Sequence, residues 1–372
     1  MLDIAIDLLW LRPRKVGGTE FYIRNLLDGF IKTDKNFRIT LLVSRDNRQS
    51  LEHYAEDSRI RLLETPVKSA NIAGRILWQF FFQNYCLRRN NIRRCFIPVY
   101  CRPLFNGGIT YVNVIHDLQA AHYPQYHPLH EIAYSRLCWW LDVHFSRHIV
   151  AISEWVKSDI LQRYHIREDK ISTIYNPIMI DKTQVASQKE LEQKYGAKED
   201  EFYYTVAQLI PHKNLNTLIE VMQYIKDNHV ALPKKLFISG VNGESRFMLE
   251  EQIKERGLEG QVILTGFVED RERNAFYKYC RAFLFPSVFE GFGMPPIEAM
   301  LFGSIVIATD RTCIPEVTQG KANYVKNPYS VEEWVRVMQN PINRIEKMDF
   351  SRYDQMKLTE KYYALLQREL GV

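Results

Sequence analysis

Two carboxylates, Glu290 and Glu298, stand with seven residues between them in the run Phe289 to Met300, FEGFGMPPIEAM. An ionised carboxylate only accepts hydrogen bonds, so each can take a pair from two neighbouring hydroxyls, the pattern that a hexose ring or a ribose presents. Gly291 and Gly293 let the backbone turn sharply and approach a ligand closely. Ahead of them, Ala282 to Pro286 reads as a buried parallel strand. Behind them, Pro295-Pro296 stands where a helix begins, because proline is tolerated in the first turn. Strand, turn and helix in this order aim backbone N–H groups, those of Phe292 to Met294 among them, at whatever the turn holds, and negative charge is favoured there. Phosphates and sugar hydroxyls can both dock at such a turn, which suits a sugar nucleotide. The plain structural alternative has Glu298 favouring the positive end of its helix and Glu290 solvated in a loop.

The elements that must position these residues alternate between short β-rich runs and helical stretches, the pattern of parallel sheets covered by helices on both faces. A first set of strands is expected at 3–9, 38–44, 111–115, 147–152 and 170–175. A second is expected at 202–207, 235–240, 261–265, 281–286 and 304–310. The helix after Gly18 carries Ile23, Leu26, Leu27 and Phe30 at i, i+3, i+4 and i+7, one buried face. In the second set helices begin near Asn214, Glu244, Arg271 and Pro296. Between the sets a polar stretch from Asn176 to Asp200 marks a boundary near residue 180. The expected organisation is an N-terminal domain over 1–180, a C-terminal domain over 181–350 and a terminal helix within 351–372. That helix presents Met356, Tyr363 and Leu366 on one side.

In open parallel α/β sheets ligands bind beyond the carboxyl ends of the strands. His116, Gln208, Gly266, the segment from Ser287 to Glu290 and, at loop distance, Gly17-Gly18 all follow strands in this way. His116 is either a histidine satisfied by backbone or a group facing a ligand. Lys213 is the candidate counter-charge for a leaving phosphate, since a fixed cation in a dry cleft stabilises the charge that cleavage builds. No G-x-G-x-x-G follows a strand, and there is no Walker P-loop and no Asp-x-Asp. Dehydrogenase, NTPase and metal-dependent GT-A readings therefore lack an anchor.

The 372 residues, 46% of them hydrophobic, suffice for two domains with separate cores. A formal charge of +5 with scattered basic residues is not a nucleic-acid-binding profile. The exceptions to the scatter are Arg12, Arg14 and Lys15, and the cluster Arg88, Arg89, Arg93 and Arg94. The six cysteines show no C-x-x-C pair and no zinc spacing, which fits a reducing cytosol. The segment Arg75 to Tyr85 is apolar around most of its circumference and falls short of a bilayer span. Its primary reading is a buried helix. Its aromatics beside the arginine cluster leave open a peripheral contact with a membrane face.

The chain resembles the GT-B-fold retaining glycosyltransferases of family 4, the group 1 glycosyltransferases, in their mannosyltransferase-like branch. The likeness rests on the E-x7-E run and on six further patches in the family's order: Gly17 to Glu20, Val114 to Leu118, Ala151 to Glu154, Ile174 to Pro177, Val206 to Asn214 and Thr265 to Val268. It implies two Rossmann-like domains with an interdomain cleft, and the terminal helix packed back on the first domain. It also implies metal-independent hexose transfer with retention, without a cofactor, in which the departing phosphate takes the acceptor's proton. By the same resemblance His116 donates a hydrogen bond to a hydroxyl of the transferred sugar, Glu290 holds other sugar hydroxyls and Glu298 the ribose diol. Lys213 and Gln208 hold the phosphates, Gly291, Phe292, Gly293 and Met294 the sugar, Gly17 and Gly18 the donor phosphate or acceptor, and Gly266, Phe267 and Val268 the base, with Gly240 to Gly243 beside them. Asp117 is read as a cap. GDP-mannose is the first donor expectation, with UDP-hexose and dTDP-rhamnose as rivals. The acceptor is a lipid-linked oligosaccharide or surface polysaccharide precursor, and the location cytoplasmic, at the inner membrane face. The family usually has Arg where Gln208 stands, so His212, Arg12, Arg14 or Lys15 compensates or catalysis is weakened. The alternatives are a catalytically weakened partner subunit and a GT-B-fold sugar-nucleotide epimerase.

Overall fold

The computed structural model describes residues 1–13, 15–99, 101–240 and 244–371. The chain divides into two compact units, 1–179 with 351–372, and 180–350. Each is built on one parallel sheet. In the first unit the strands are β1 (Leu2–Asp7), β2 (Phe37–Val43), β3 (Ile60–Glu64), β4 (Arg94–Ile97), β5 (Thr110–Ile115), β6 (His148–Ala151) and β7 (Ile171–Thr173), in the order β3-β2-β1-β4-β5-β6-β7. In the second they are β8 (Phe202–Val206), β9 (Lys235–Ser239), β10 (Val262–Gly266), β11 (Ala282–Phe285), β12 (Val306–Thr309) and β13 (Asn323–Val325), in the order β10-β9-β8-β11-β12-β13. Strand order reverses between β1 and β4, and again between β8 and β11. At such a switch point adjacent crossovers leave in opposite directions and open a crevice at the carboxyl ends.

Burial on both faces explains why the central strands read as continuous apolar runs. Leu236, Phe237, Ile238, Phe283, Leu284, Ile307 and Ala308 are fully buried. The sequence pattern misses β3, β4 and β13. β4 is only Arg-Cys-Phe-Ile and follows a charged cluster, too short a run for periodicity to register.

In the first unit, Ile23, Leu26, Leu27 and Phe30 of the helix Gly18–Lys32 are buried as their spacing predicts. The helix Gln355–Leu370 packs against it, joined by a 2.8 Å hydrogen bond between the buried hydroxyls of Tyr22 and Tyr362. Its inward face carries Leu358, Tyr362, Leu365 and Leu366, whereas Met356 and Tyr363 are half-exposed, a correction of less than one turn.

The segment Arg75 to Tyr85 departs further from expectation. It forms two short helices, Ile72–Phe81 and Gln83–Arg89, which are inverted relative to a buried helix. Their polar residues Gln79 and Gln83 are buried, while Leu77, Phe81, Phe82 and Tyr85 are 59%, 58%, 56% and 52% exposed. The cause lies beneath them. Asp7, at the buried end of β1, accepts from Gln79 Nε2 at 3.0 Å, and a buried carboxylate needs such a partner. Satisfying it turns the aromatic stripe outward. No helix among the described residues is long and apolar enough to cross a membrane.

Candidate functional site

The second unit assembles its chemistry at the β8/β11 switch point. After β8 the chain runs through Gln208, whose side chain is exposed, into a 3₁₀ turn at Pro211–Lys213 and then the helix Leu215–Asp227. After β11 it enters the Glu290 loop. Two links join these segments: the Val288 N–H donates to the His212 carbonyl at 2.8 Å, and Asn214 Nδ2 donates to the Pro286 and Pro328 carbonyls at 3.4 and 3.0 Å. They bring Lys213 to Glu290, 77 residues away in sequence, where Nζ lies 2.7 Å from Oε1 and 2.9 Å from Oε2. The side chains keep 21% and 11% of their surface open to solvent. Both remain accessible, and each currently satisfies the other.

Gly293, at φ +84°, is the left-handed residue that starts the helix Met294–Leu301, a conformation glycine adopts without the usual steric penalty. Four residues into this helix Glu298 is half-buried and accepts from the Tyr277 hydroxyl at Oε2, 2.9 Å. Burial raises its carboxyl above the ordinary range, opposed by the nearby Arg273 charge and the Tyr277 hydrogen bond. Glu298 is thus anchored through one oxygen. At the β10 end, Phe267 is 80% exposed and Val268 is buried, and the Gly266 carbonyl accepts from Gly240 N–H at 2.9 Å. This edge is separated from β8 by β9. Val241 to Gly243 and Arg14 lie outside the described residues.

In the first unit Gly17, at φ +61°, precedes the helix Gly18–Lys32. Its carbonyl accepts from Glu20 N–H at 3.0 Å. His116 follows β5, buried, with the Tyr22 ring edge-on at 5.1 Å. His116 Nε2 lies 2.8 Å from the Pro98 carbonyl, which only accepts, so Nε2 carries the proton. Burial lowers the imidazole to about 4, outweighing that hydrogen bond. His116 is therefore neutral at physiological pH, and its remaining nitrogen, Nδ1, is an acceptor. Its Nε2 proton is committed to the Pro98 carbonyl. Asp117 accepts from the Gln119 N–H at 2.9 Å, a local cap.

Family models match nearly end to end: "Glycosyltransferase Family 4" over residues 16–182 and "Glycosyl transferases group 1" over 187–353. The chain belongs to the group 1, family 4 glycosyltransferases. It is 28% identical over 294 residues to the O-antigen chain mannosyltransferase RfbU of Salmonella typhimurium, covering 79% of this chain and 74% of that one. It is 30% identical over 200 residues to the serotype-specific mannosyltransferase WbdA of Escherichia coli, covering 52% of this chain but 24% of that longer protein. Among solved structures, Anabaena Alr3699/HepE in complex with UDP superposes with a TM-score of 0.70 at 17% identity, over 99% of this chain and 100% of that one. The glycosyltransferase therefore has the GT-B architecture, two Rossmann-like parallel-sheet domains.

The pattern reading overlooked Thr312 and Cys313. Thr312 Oγ1 accepts the Glu290 N–H at 3.2 Å, and Cys313 Sγ lies 3.1 and 3.2 Å from the Glu290 and Phe292 carbonyls. Neither belongs to a spacing motif. The available signal was a Thr-Cys pair three and four residues after β12, the strand that neighbours β11.

Proposed function

We propose that this glycosyltransferase moves a hexose, mannose first, from a nucleotide diphosphate sugar to a hydroxyl of a lipid-linked oligosaccharide or surface polysaccharide precursor, with retention. The observation that carries the reading is the Lys213–Glu290 pair at the β8/β11 switch point. Donor binding exchanges partners: the diphosphate takes Lys213, and Glu290 is released to accept from sugar hydroxyls. Glu298 accepts from the ribose diol through the oxygen that Tyr277 leaves open, while the exposed amide of Gln208 donates to phosphate. In the first unit, neutral His116 offers an acceptor suited to a hydroxyl.

The chemical step breaks the bond between the anomeric carbon and the diphosphate oxygen, and the electron pair stays on the phosphate. The transition state is oxocarbenium-like. Lys213 stabilises the charge that develops on the leaving group. The acceptor oxygen bonds to the same face and its proton passes to the departing phosphate, so no side chain need act as base. The likeness to two mannosyltransferases supports mannose, and GDP-mannose as donor.

The outward stripe Leu77, Phe81, Phe82 and Tyr85, beside exposed Arg88, Arg89 and Arg93, supports contact with the anionic cytoplasmic face of a membrane. A thermal-shift panel with GDP, UDP, dTDP and ADP tests the base, since a ligand at roughly 1,000 times its dissociation constant stabilises the native state by roughly 4 kcal/mol. GDP is expected to give the largest shift, and transfer from GDP-mannose an α-linked product. A flat panel would remove the donor-site assignment. Donor conversion without acceptor would indicate an epimerase, and binding without turnover a non-catalytic subunit.

A further inference from the structure

The Glu290 loop is held from the side by the turn that follows β12. Its Glu290 N–H donates to Thr312 Oγ1 at 3.2 Å, and the Cys313 thiol lies 3.1 Å from the Glu290 carbonyl and 3.2 Å from that of Phe292. Cys313 is fully buried, and burial first, then the Glu290 charge, raises its thiol well above the ordinary range, so it stays a protonated donor. Thr312 sits at φ +50°, in the left-handed region that β-branched residues rarely enter. Strain of this kind persists only where the surroundings enforce it, and it collects at ligand sites. The segment being held contains Gly291 and Gly293, which restrict their own backbone less than any other residue. Its order must therefore come in good part from outside contacts, and these three contribute to it.

We propose that Thr312 and Cys313 are positioning residues for the sugar-binding carboxylate: they fix the backbone from Glu290 to Phe292 so that the Glu290 side chain meets the hydroxyls of the donor's sugar. This rests on the role assigned to Glu290 above. The clamp acts on the sugar half of the donor and not on its nucleotide, because the groups it holds face the hexose. Losing it costs affinity for the nucleotide sugar and leaves affinity for the free nucleoside diphosphate in place.

Calorimetric titration of the full chain with GDP-mannose and with GDP, or with the corresponding pair for whichever base the thermal panel selects, tests this. Cys313→Ala is expected to weaken the nucleotide sugar about 3- to 10-fold, the range of one hydrogen bond, with the nucleotide unchanged. Cys313→Ser keeps a donor and should recover most of the loss. If Cys313→Ala does not fold, Thr312→Val removes the acceptor at nearly constant volume and should show the same split. Equal weakening of both ligands, or a lower melting temperature with both affinities unchanged, overturns the proposal by reducing the turn to a structural element. Glu290→Gln separates the two layers. If it leaves nucleotide-sugar affinity intact, the role of Glu290 itself fails, whereas if it weakens binding and Cys313→Ala does not, only the clamp fails.

Discussion

The two units share a strand order but differ in what they place at the carboxyl ends of their sheets. At the β8/β11 switch the second unit carries a lysine and a glutamate in direct contact, a glycine turn and a helix N-terminus. Beyond β5 the first unit presents a neutral His116, and at β1 the buried Asp7 is already occupied by Gln79 and by the Leu9 N–H at 3.0 Å. Its distinctive surface lies elsewhere, in the apolar stripe from Leu77 to Tyr85. One sheet topology thus carries a paired lysine and glutamate at the switch point of one unit, and a neutral histidine and an occupied carboxylate at the strand ends of the other. Strand order decides where a ligand can sit, and the side chains on the loops decide what kind it is.

Removing the charge from the second unit should have the largest effect. Lys213→Ala is expected to lower kcat by about 10²- to 10³-fold, the scale of losing one preorganised stabiliser of developing charge. Single-turnover transfer checks it, and a loss below about threefold would erase the contrast between the units. In the first unit the matching perturbation concerns pH. His116 falls from 6.5 to about 4 on folding, so the unfolded chain takes up a proton first as the solution is acidified. The stability this burial contributes is present above pH 6.5 and is lost as pH falls toward 4, by about 3 kcal/mol. Denaturation of the wild type and of His116→Asn across this window should show the wild type losing that amount relative to the variant; parallel curves would mean that His116 is not buried neutral.

The surface difference is sharpened by Leu77→Ser combined with Phe81→Ser, expected to weaken binding to anionic phosphatidylglycerol vesicles on the order of tenfold while sparing transfer to a soluble acceptor. Equal vesicle binding by wild type and variant would assign the stripe to another partner. The smallest effect is expected at Gln208, which is exposed. Gln208→Arg should raise donor affinity by up to about fivefold at low salt, fading as ionic strength rises. A gain that salt does not touch would show that charge is not what Gln208 lacks.

The positions of Glu290, Glu298 and Lys213 were legible in advance, because they sit in local motifs at fixed distances from strands. His116 was legible as a position but not as a tautomer, since the Pro98 carbonyl that orients it lies 18 residues earlier on another strand's loop. The Ile72–Arg89 region was misread because a helix's apolar residues do not reveal which side the core will take. There the buried carboxylate of Asp7, remote in sequence, takes its hydrogen bond from Gln79 and holds that side of the helix inward.

What the sequence by itself determined about this glycosyltransferase is the alternation of apolar strands and amphipathic helices, and the motif residues at the strand ends, because 2.0 and 3.6 periodicities and glycine turns are local properties. Only tertiary structure decided that Lys213 and Glu290 face each other, that Thr312 and Cys313 contact the backbone of Glu290 and Phe292, and that the aromatic stripe faces outward. Each of these depends on hydrogen bonds between segments that only the folded sheets bring within about 3 Å.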